Sequence, residues 1–356
     1  MIALAIEPTV LQTLWFILIA VLWIGYLVLE GFDYGVAMLI PFLGKTDKEK
    51  RVIVNTVGPV WDGNQVWLLT AGGATFAAFP GWYATLFSGL YLPLFLILVG
   101  LIIRGIAFEY RSKHPETKWR NSFDWMAATG SFIVSLVFGV GFANFIIGLP
   151  VAPAANSPFL FVVTPSPYFW QLFSWFGLLG GVCLVALFVF HGSLYLALKT
   201  KGEVHERARA FAEKAGFVSI GLGALFLLAQ QFIHPTGVLG WVLLVLSAAG
   251  LAAAWWFNKQ DRNGLAFIST SLTILFVAIG IFLTMWPGLG FRDAAGAADS
   301  PLNIVTAAST EGTLTVMTVA AVIFVPIVLA YTSWTYWVFR RRLGVENMPD
   351  EVVAAA

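Results

Sequence analysis

The chain has 356 residues, of which 59% are hydrophobic and 11% are charged, and its formal net charge is +1. A soluble domain carries about 25% charged residues, so this chain cannot cover a water-facing surface. The near-zero net charge gives no indication of nucleic-acid binding. A single cysteine, Cys183, excludes a disulfide framework and a cysteine-based cluster site within the chain. Long, continuous apolar runs predict an integral membrane protein of the helical type.

Nine apolar runs of about 20 residues or more predict nine transmembrane helices within a single integral membrane domain, 1–356. Their approximate bounds are 10–41, 53–79, 82–109, 122–149, 168–198, 208–233, 238–257, 265–288 and 313–338. The first run is too long for one perpendicular crossing, so it must tilt or project from the bilayer. The predicted fold class is an all-α polytopic membrane protein, and the connection lengths allow two four-helix bundles plus one peripheral helix.

The basic residues between the runs predict the orientation. Seventeen Lys and Arg residues fall in alternate connections and in the C-terminal tail, whereas Arg292 is the only one in the remaining connections. By the positive-inside rule the N-terminus is outside and the C-terminus is cytoplasmic. The tail sequence YTSWTYWVFRRR adds an aromatic belt and a basic anchor at the inner face. The two long outer connections, 150–167 and 289–312, do not resemble a folded extramembrane domain.

Acidic and amide side chains lie inside the first two runs, where a charge costs at least ~2.5–3.5 kcal/mol. Asp33 and Asp62 each lie eleven residues from the short inner loop, so both are about 16 Å from the inner face along a continuous helix. Glu30 is one helical turn from Asp33. We expect these three acids to converge with Asn64 and Gln65 halfway across the membrane. The cluster fits a proton or ion path, or a polar patch that holds the helices together.

A second pair of charges flanks the loop between the third and fourth runs. Arg104 and Asp124 lie at similar depths, roughly 5–10 Å from that loop. We expect a buried ion pair that locks this hairpin, because removing one partner would leave the other uncompensated.

Histidine gives little support for a cofactor held by this chain. Of the four histidines only His191 lies inside a run, near its inner end, and such a residue is more often hydrogen-bonded than a metal ligand. The sequence has no paired-histidine motif, no cysteine–histidine metal site, no P-loop and no dinucleotide fingerprint. We therefore expect no metal site and no redox centre bound by the chain's own ligands.

Four segments resemble subunit II of cytochrome bd-type quinol oxidases. They are LEGFDYGVAML (29–39), WDGNQVWLLTAGGATFAAFP (61–80), YRSKHPETKWRNSFDW (110–125) and PLNIVTAASTEGTLTVMTVAAVIFVPIVLAYTSWTYW (301–337). The likeness runs from the first predicted helix to the ninth and is weakest over 150–265. The Gly-Phe-Asp and Trp-Asp-Gly-Asn-Gln segments are long and unusual in composition, so a chance match is improbable.

The resemblance implies a haem-free subunit in the bacterial cytoplasmic membrane. Its partner would be subunit I, which holds haems b558, b595 and d, with small single-helix accessory subunits in some complexes. Such a complex oxidises quinol, reduces O₂ to water and takes protons from the cytoplasm, so it is electrogenic without pumping. A structural quinone occurs in subunit II of some members. The resemblance places no catalytic residue in this chain.

The resemblance also implies roles for individual residues. Asp62 matches an aspartate that lines the family's proton pathway toward the oxygen-reducing haem, and we expect Asp33, at the same predicted depth, to belong to that pathway. Asp33 itself matches the aspartate of the family's Gly-Phe-Asp motif, a position associated with haem retention or quinol oxidase activity. Some relatives have aspartate at the position of Glu30. The acid is kept here, but its carboxyl group extends further from the backbone. Trp61, Arg104 and Asp124 match positions associated with haem retention, haem-site assembly or quinol oxidase activity. The resemblance does not extend to the tail beyond Arg342.

Two other interpretations fit the same acids. One is a stand-alone, proton-coupled secondary transporter, although such proteins more often show broken helices in two symmetric halves. The other is a purely structural subunit with no role in proton transfer.

Overall fold

The computed structural model describes residues 7–154, 157–165, 168–297 and 299–348. Within these residues the chain forms eleven α-helices and one three-stranded sheet. The helices are α1 (Val10–Leu43), α2 (Asp47–Val57), α3 (Trp61–Ala78), α4 (Pro80–Gly89), α5 (Tyr91–Tyr110), α6 (Thr117–Ile147), α7 (Trp175–Lys199), α8 (Gly202–Ile233), α9 (Gly237–Lys259), α10 (Asn263–Met285) and α11 (Glu311–Val338). The strands are β1 (Leu149–Ala154), β2 (Ser157–Val163) and β3 (Phe291–Asp293).

Eight of the described helices are long and apolar enough to cross a membrane. They are α1, α5 to α10 and α11, and they agree with the predicted polytopic class. The 34 residues of α1 rise about 51 Å, which exceeds the ~30 Å of a bilayer's hydrocarbon layer. The long first run is therefore one continuous helix, which starts at a capping box formed by Thr9 and Gln12.

The prediction of one continuous second helix over 53–79 is wrong. The helix is interrupted after Val57, and α3 begins only at Trp61. Pro59 explains the interruption, because it has no N–H for the carbonyl of Asn55 and its ring would collide with that carbonyl. The polar, basic α2 and the apolar α3 are thus separate helices that can take different directions.

The predicted third helix, 82–109, is also two helices. The chain leaves helical geometry at Leu90, between α4 and α5. Pro93 lies four residues after Gly89 and cannot donate a hydrogen bond to its carbonyl, so a continuous helix would lose a bond at this point. The predicted helix 168–198 likewise begins later, at Trp175, after a short 3₁₀ turn over Trp170–Phe173.

The helices pack as two neighbouring groups around α1. One group contains α1, α3, α5 and α6, and the other contains α7 to α10, with α6 and α7 in contact between them. Helices α1 and α7 approach closely at Gly35 and Gly192, where a Cβ on either residue would overlap backbone atoms of the other helix. Small residues at such crossings let the two helix backbones come into direct contact, as is usual in membrane bundles.

One end of the bundle carries the sheet, which the sequence did not predict. Strand β1 lies between its neighbours, antiparallel to β2 with Val151 opposite Val163, and parallel to β3 with Leu149 opposite Phe291. The sheet joins the two connections, 150–167 and 289–312, that we expected to lack folded structure. Their Pro-, Ala- and Ser-rich composition concealed the pairing, because β1 and β3 are more than 130 residues apart in the sequence.

The other end of the bundle carries the ion pairs. Arg111 bonds to Asp124 at 2.5 Å and to Asp47 at 2.9 Å, and Lys50 lies 3.0 Å from Asp124. Glu49 in the first turn of α2 lies 2.6 Å from Arg207 of α8. These contacts connect both groups of helices at the end where the basic loops were predicted.

Helix α11 lies at the edge of the bundle. Across Glu311–Val338, all of which the structure describes, only Leu314 is buried. Near its N-terminus, Trp15 of α1 donates to Thr318 at 3.0 Å. Past its C-terminus, the Lys199 ammonium donates to the carbonyls of Phe339 and Arg341, which suits the negative end of the helix dipole. Polar contacts at both ends therefore hold a helix that buries little apolar surface.

The Glu49 carboxylate allows a pH test of the ion-paired end. Burial opposes its ionisation, but the Arg207 guanidinium and the backbone N–H groups of Lys45 and Thr46 outweigh that effect and hold the pKa of the carboxyl below its ordinary value. Because the folded pKa is the lower one, this stabilisation is present above the unfolded pKa of about 4.3 and is lost as the pH falls through the folded pKa.

We predict that Glu49→Gln lowers the free energy of unfolding by about 1 kcal/mol at pH 7, because glutamine keeps the capping box but loses the charge. Thermal unfolding of the purified protein should show this gap closing below about pH 4. The matched control is Glu203→Gln, since Glu203 lies 3.8 Å from the same arginine but is exposed. A gap that stays constant from pH 7 to pH 3 would contradict the prediction.

Candidate functional site

A buried arginine organises the candidate site. Arg104 of α5 is fully buried and forms an ion pair with Glu30 of α1. Its second terminal nitrogen donates to the Gln65 amide oxygen at 2.7 Å. The guanidinium also lies 4.8 Å from the centre of the Tyr34 ring and 5.4 Å from that of Trp61. A buried charge is tolerated only with such partners, so this cluster fixes α1, α3 and α5 relative to one another.

A second chain of contacts begins at Asp33, one turn along α1 from Glu30. The Asn64 amide nitrogen donates to the Asp33 carboxylate at 2.7 Å and to the Leu29 carbonyl at 3.2 Å. Tyr336 of α11 donates to the amide oxygen of Asn64 at 2.8 Å. Because the tyrosine proton occupies the oxygen, the amide turns its N–H groups toward α1. Three helices that are distant in the sequence thus meet at one amide.

The two acids of α1 share a buried environment. Glu30 and Asp33 are both fully buried, and their two carboxyl groups lie within hydrogen-bonding reach of each other. Two carboxylates cannot hydrogen-bond to each other without a proton, so this contact between buried carboxyls is a place for a shared proton. The Tyr34 hydroxyl bonds to the Tyr26 hydroxyl and extends the polar cluster along α1.

Asp62 does not lie among these buried groups. It is exposed in the first turn of α3, while Asn64 and Gln65 of the next turn face α1 and α5. The positive end of the helix dipole favours a carboxylate there. The expected depth of about 16 Å for Asp62 assumed a continuous helix from the inner loop. The interruption between α2 and α3 invalidates that estimate. Asp62 is therefore exposed rather than buried with the other two acids, although it lies near enough to Glu30 for the two carboxyl groups to interact electrostatically.

The predicted ion pair between Arg104 and Asp124 is wrong. Asp124 bonds instead to Arg111 and Lys50, whereas Arg104 bonds to Glu30. Arg104 and Arg111 are seven residues apart, which is about two helical turns, so they lie on the same face of the chain. Asp124, two turns into α6, is level with the second of them. The structure therefore separates Asp124 from the Arg104 cluster by two turns.

His191 of α7 is fully engaged within the chain. One ring nitrogen lies 2.7 Å from the Thr270 hydroxyl and the other lies 3.1 Å from the Val28 carbonyl. The ring stacks on Phe267 with centres 4.5 Å apart. This histidine does not fit an axial haem ligand, because neither nitrogen is free. Among the described residues no group of three or more His, Cys, Asp or Glu could hold a metal ion.

Sequence reasoning missed two tyrosines of the site. Tyr336 lies within the aromatic run that we assigned to an interfacial belt, where its neighbours Tyr331, Trp334 and Trp337 are exposed. Tyr34 follows Asp33 directly but points to the arginine of another helix. Nothing in the local sequence distinguishes Tyr336 from the other aromatic residues of the belt, since its partner lies 272 residues away.

We predict that Arg104→Met destabilises the protein by about 3–5 kcal/mol, because it leaves Glu30 buried without a counter-charge. Adding Glu30→Gln should recover part of that loss, with a coupling free energy of about 1–3 kcal/mol in a double-mutant cycle. Thermal unfolding of the purified protein measures both quantities.

The matched control for this cycle is Arg262→Met, which removes an exposed arginine. It should change stability by less than about 0.5 kcal/mol. Additive losses for Arg104→Met and Glu30→Gln would show that the pair does not stabilise the fold.

Comparison with known proteins gives consistent matches. Residues 11–339 match the family described as "Cytochrome bd terminal oxidase subunit II". "Cytochrome bd-I ubiquinol oxidase subunit 2" of Escherichia coli is 37% identical over 350 residues, covering 88% of this chain and 90% of that protein. "Cytochrome bd ubiquinol oxidase subunit 2" of Bacillus subtilis is 36% identical over 337 residues, covering 94% and 97%.

A solved structure supports the same assignment at the level of the fold. A chain of the bd oxidase from Geobacillus thermodenitrificans matches with a TM-score of 0.73 and covers 93% of this chain and 99% of that chain. Its sequence identity is 17%, so this likeness shows the fold alone. Because the sequence matches extend over nearly the whole chain, the protein belongs to the cytochrome bd terminal oxidase subunit II family.

Proposed function

We propose that this chain is the haem-free subunit of a bd-type terminal oxidase that oxidises quinol and reduces O₂ to water. The observation that carries the proposal is the family match over residues 11–339. Relatives named as subunit 2 of ubiquinol oxidases support the reaction and a partner subunit I. Haems b558, b595 and d belong to that partner, and quinol and O₂ are the substrates of the complex.

The chain's own residues give no reason to place a haem in it. His191, the histidine inside a helix, has both ring nitrogens engaged.

We further propose that α3 provides the ninth crossing of the bacterial cytoplasmic membrane. Its 18 residues rise about 27 Å, close to the ~30 Å hydrocarbon thickness. The N-terminus would then be outside, and the ion-paired end of the bundle would face the cytoplasm together with the basic loops. In this placement α2 lies at the inner surface, and the Asp33–Asn64 contact lies near the inner end of the hydrocarbon layer.

The buried acids are the proposed proton carriers. Reducing one O₂ to two water molecules consumes four protons, so the complex needs a polar route through apolar surroundings. The Asp33 carboxyl lies within hydrogen-bonding reach of the Glu30 carboxyl and accepts a hydrogen bond from the Asn64 amide, and these two contacts let it hold a proton or release it. Glu30, paired with Arg104, keeps the local charge balanced while Asp33 changes its protonation state.

Asp62 is proposed as the point where this route meets the partner. The same helix exposes Val66, Leu69 and Phe76, which are 51%, 76% and 59% exposed and form an apolar face that extends along α3 from the acid. Covering that face with subunit I would bury Asp62 beside the partner. Gln65 connects this surface to Arg104.

Trp61, Arg104 and Asp124 are proposed to support the partner's haem site. The Trp61 ring lies over the Arg104 guanidinium and 5.6 Å from the Phe108 ring, so its position depends on the buried ion pair. Asp124 acts through the separate contact with Arg111 at the inner end of the bundle. Their loss would change the face presented to subunit I rather than remove a reacting group.

The interrupted helices bear on the alternative of a stand-alone transporter. Both interruptions, at Pro59 and before Pro93, lie in successive segments of one half of the chain. Transporters built from repeats place broken helices at corresponding positions of two halves. The arrangement here favours the oxidase subunit.

We predict that the chain purifies with a haem-bearing partner, because the proposed function requires one. A reduced-minus-oxidised spectrum of the mild-detergent preparation should show haem bands at long wavelength. A stable, colourless and solitary protein would contradict the proposed oxidase role and favour the transporter.

We predict that Asp33→Asn lowers the rate of O₂ consumption by the complex at least about tenfold, which corresponds to a rise of about 1.4 kcal/mol in the activation free energy. The haem content of the complex should be unchanged. Asp62→Asn should act in the same direction. The measurement combines oxygen-electrode rates with haem quantification of the same preparation.

The control is Asp261→Asn, which changes an exposed acid in the turn between α9 and α10. Its left-handed backbone, with φ of 58°, suits asparagine as well as aspartate. Full turnover with full haem content in Asp33→Asn would exclude Asp33 as a required proton carrier. Loss of haem would show that it serves assembly instead.

A further inference from the structure

A small, partly open apolar cavity lies among the helices, separate from the Arg104 cluster. Its volume is about 50 Å³, and side chains of α1, α6, α7, α8, α9 and α10 line it. The walls include Leu27, Phe142, Leu187, Phe226 and Ile281. Three glycines, at positions 139, 180 and 223, also line it, where their helices pack closely against neighbouring atoms.

The polar atoms at the cavity wall are already engaged. The Ser219 hydroxyl donates to the Ala186 carbonyl at 2.9 Å. The Thr273 hydroxyl donates to the Ser269 carbonyl at 3.0 Å. A buried water molecule typically needs two to four polar partners, and these hydroxyls have no proton left to offer it. Cavities of this kind stay dry and bind apolar molecules instead.

The size of the cavity limits its ligand. Pockets for drug-sized molecules and cofactors span about 300–1,000 Å³, so the 50 Å³ space does not enclose a whole cofactor. A cavity needs only about 10–15 Å³ on the same measure to hold one water-sized molecule, so this space accepts a small molecule. The chemical class is therefore a noble-gas atom or an uncharged diatomic gas.

We propose that this cavity binds one small apolar gas molecule and that O₂ is its natural occupant. The choice of O₂ rests on the proposed function, since that complex consumes O₂ from the membrane, where apolar gases concentrate. Leu27 lies three residues before Glu30, so the cavity starts one helical turn from the buried acids. The cavity thus places a gas site inside the haem-free subunit.

Xenon is the first probe. Crystals of the purified complex under xenon pressure should show one anomalous peak between Phe142 and Ile281. Ala278 is 2% exposed and lines the cavity, so Ala278→Leu should fill the space and abolish the peak. The matched control is Ala252→Leu on the exposed side of α9, which should leave the peak unchanged.

Overpacking could unfold the first variant, so Cys183→Leu provides a second way to fill the cavity. No xenon peak in the unmodified complex would overturn the proposal. An equal peak in a folded Ala278→Leu or Cys183→Leu variant would also overturn it, because xenon would then lie elsewhere.

Oxygen is the second probe, through its paramagnetism. Dissolved O₂ should broaden the methyl resonances of Leu187 and Ile281 more than those of buried methyl groups remote from the cavity, such as Ile53, and Ala278→Leu should remove the difference. Equal broadening at all sites would refute O₂ as the occupant. A complex that binds xenon here but has no oxidase activity would contradict the proposed function and leave the gas site standing.

Discussion

The buried ion pair between Arg104 and Glu30 is the constraint on which the candidate site depends. Both side chains are fully buried in helices that belong to a membrane protein, where an unpaired charge is costly. Satisfying the guanidinium requires Glu30 from α1, Gln65 from α3 and the rings of Tyr34 and Trp61. Three helices are thereby fixed in one register, and Asp33 is brought within reach of Asn64.

Two prolines interrupt the helices around the site and so determine where α3 and α5 begin. Pro59 separates a basic surface helix from α3, and Pro93, in the first turn of α5, prevents α4 and α5 from forming one continuous helix across Leu90. Without the first interruption, the residues after Arg51 would continue in the direction of α2, and Asn64 and Gln65 could not both face α1 and α5. The interruptions also place Asp62 in the first turn of a helix, exposed toward a partner. The same segments therefore determine both the buried site and the surface beside it.

Helix α11 links the site to the periphery of the molecule. It buries almost no apolar surface, so its position depends on polar contacts with Trp15, Asn64 and Lys199. The Tyr336 hydroxyl fixes the orientation of the Asn64 amide, and that amide in turn donates to Asp33. A change at the edge of the bundle can therefore alter the surroundings of a fully buried acid 303 residues earlier in the chain.

The sequence by itself determined the class of protein, the long helices, the family and most residues of the site, because hydrophobic length and unusual motifs are local properties. Glu30, Asp33, Asn64, Gln65 and Arg104 were all identified in this way. Only the tertiary structure decided that Arg104 pairs with Glu30 rather than Asp124, that Asp62 is exposed, and that Tyr336 joins the site. It also revealed the sheet between distant loops and the apolar cavity. These features depend on which helix faces meet, and residues far apart in the sequence decide that jointly.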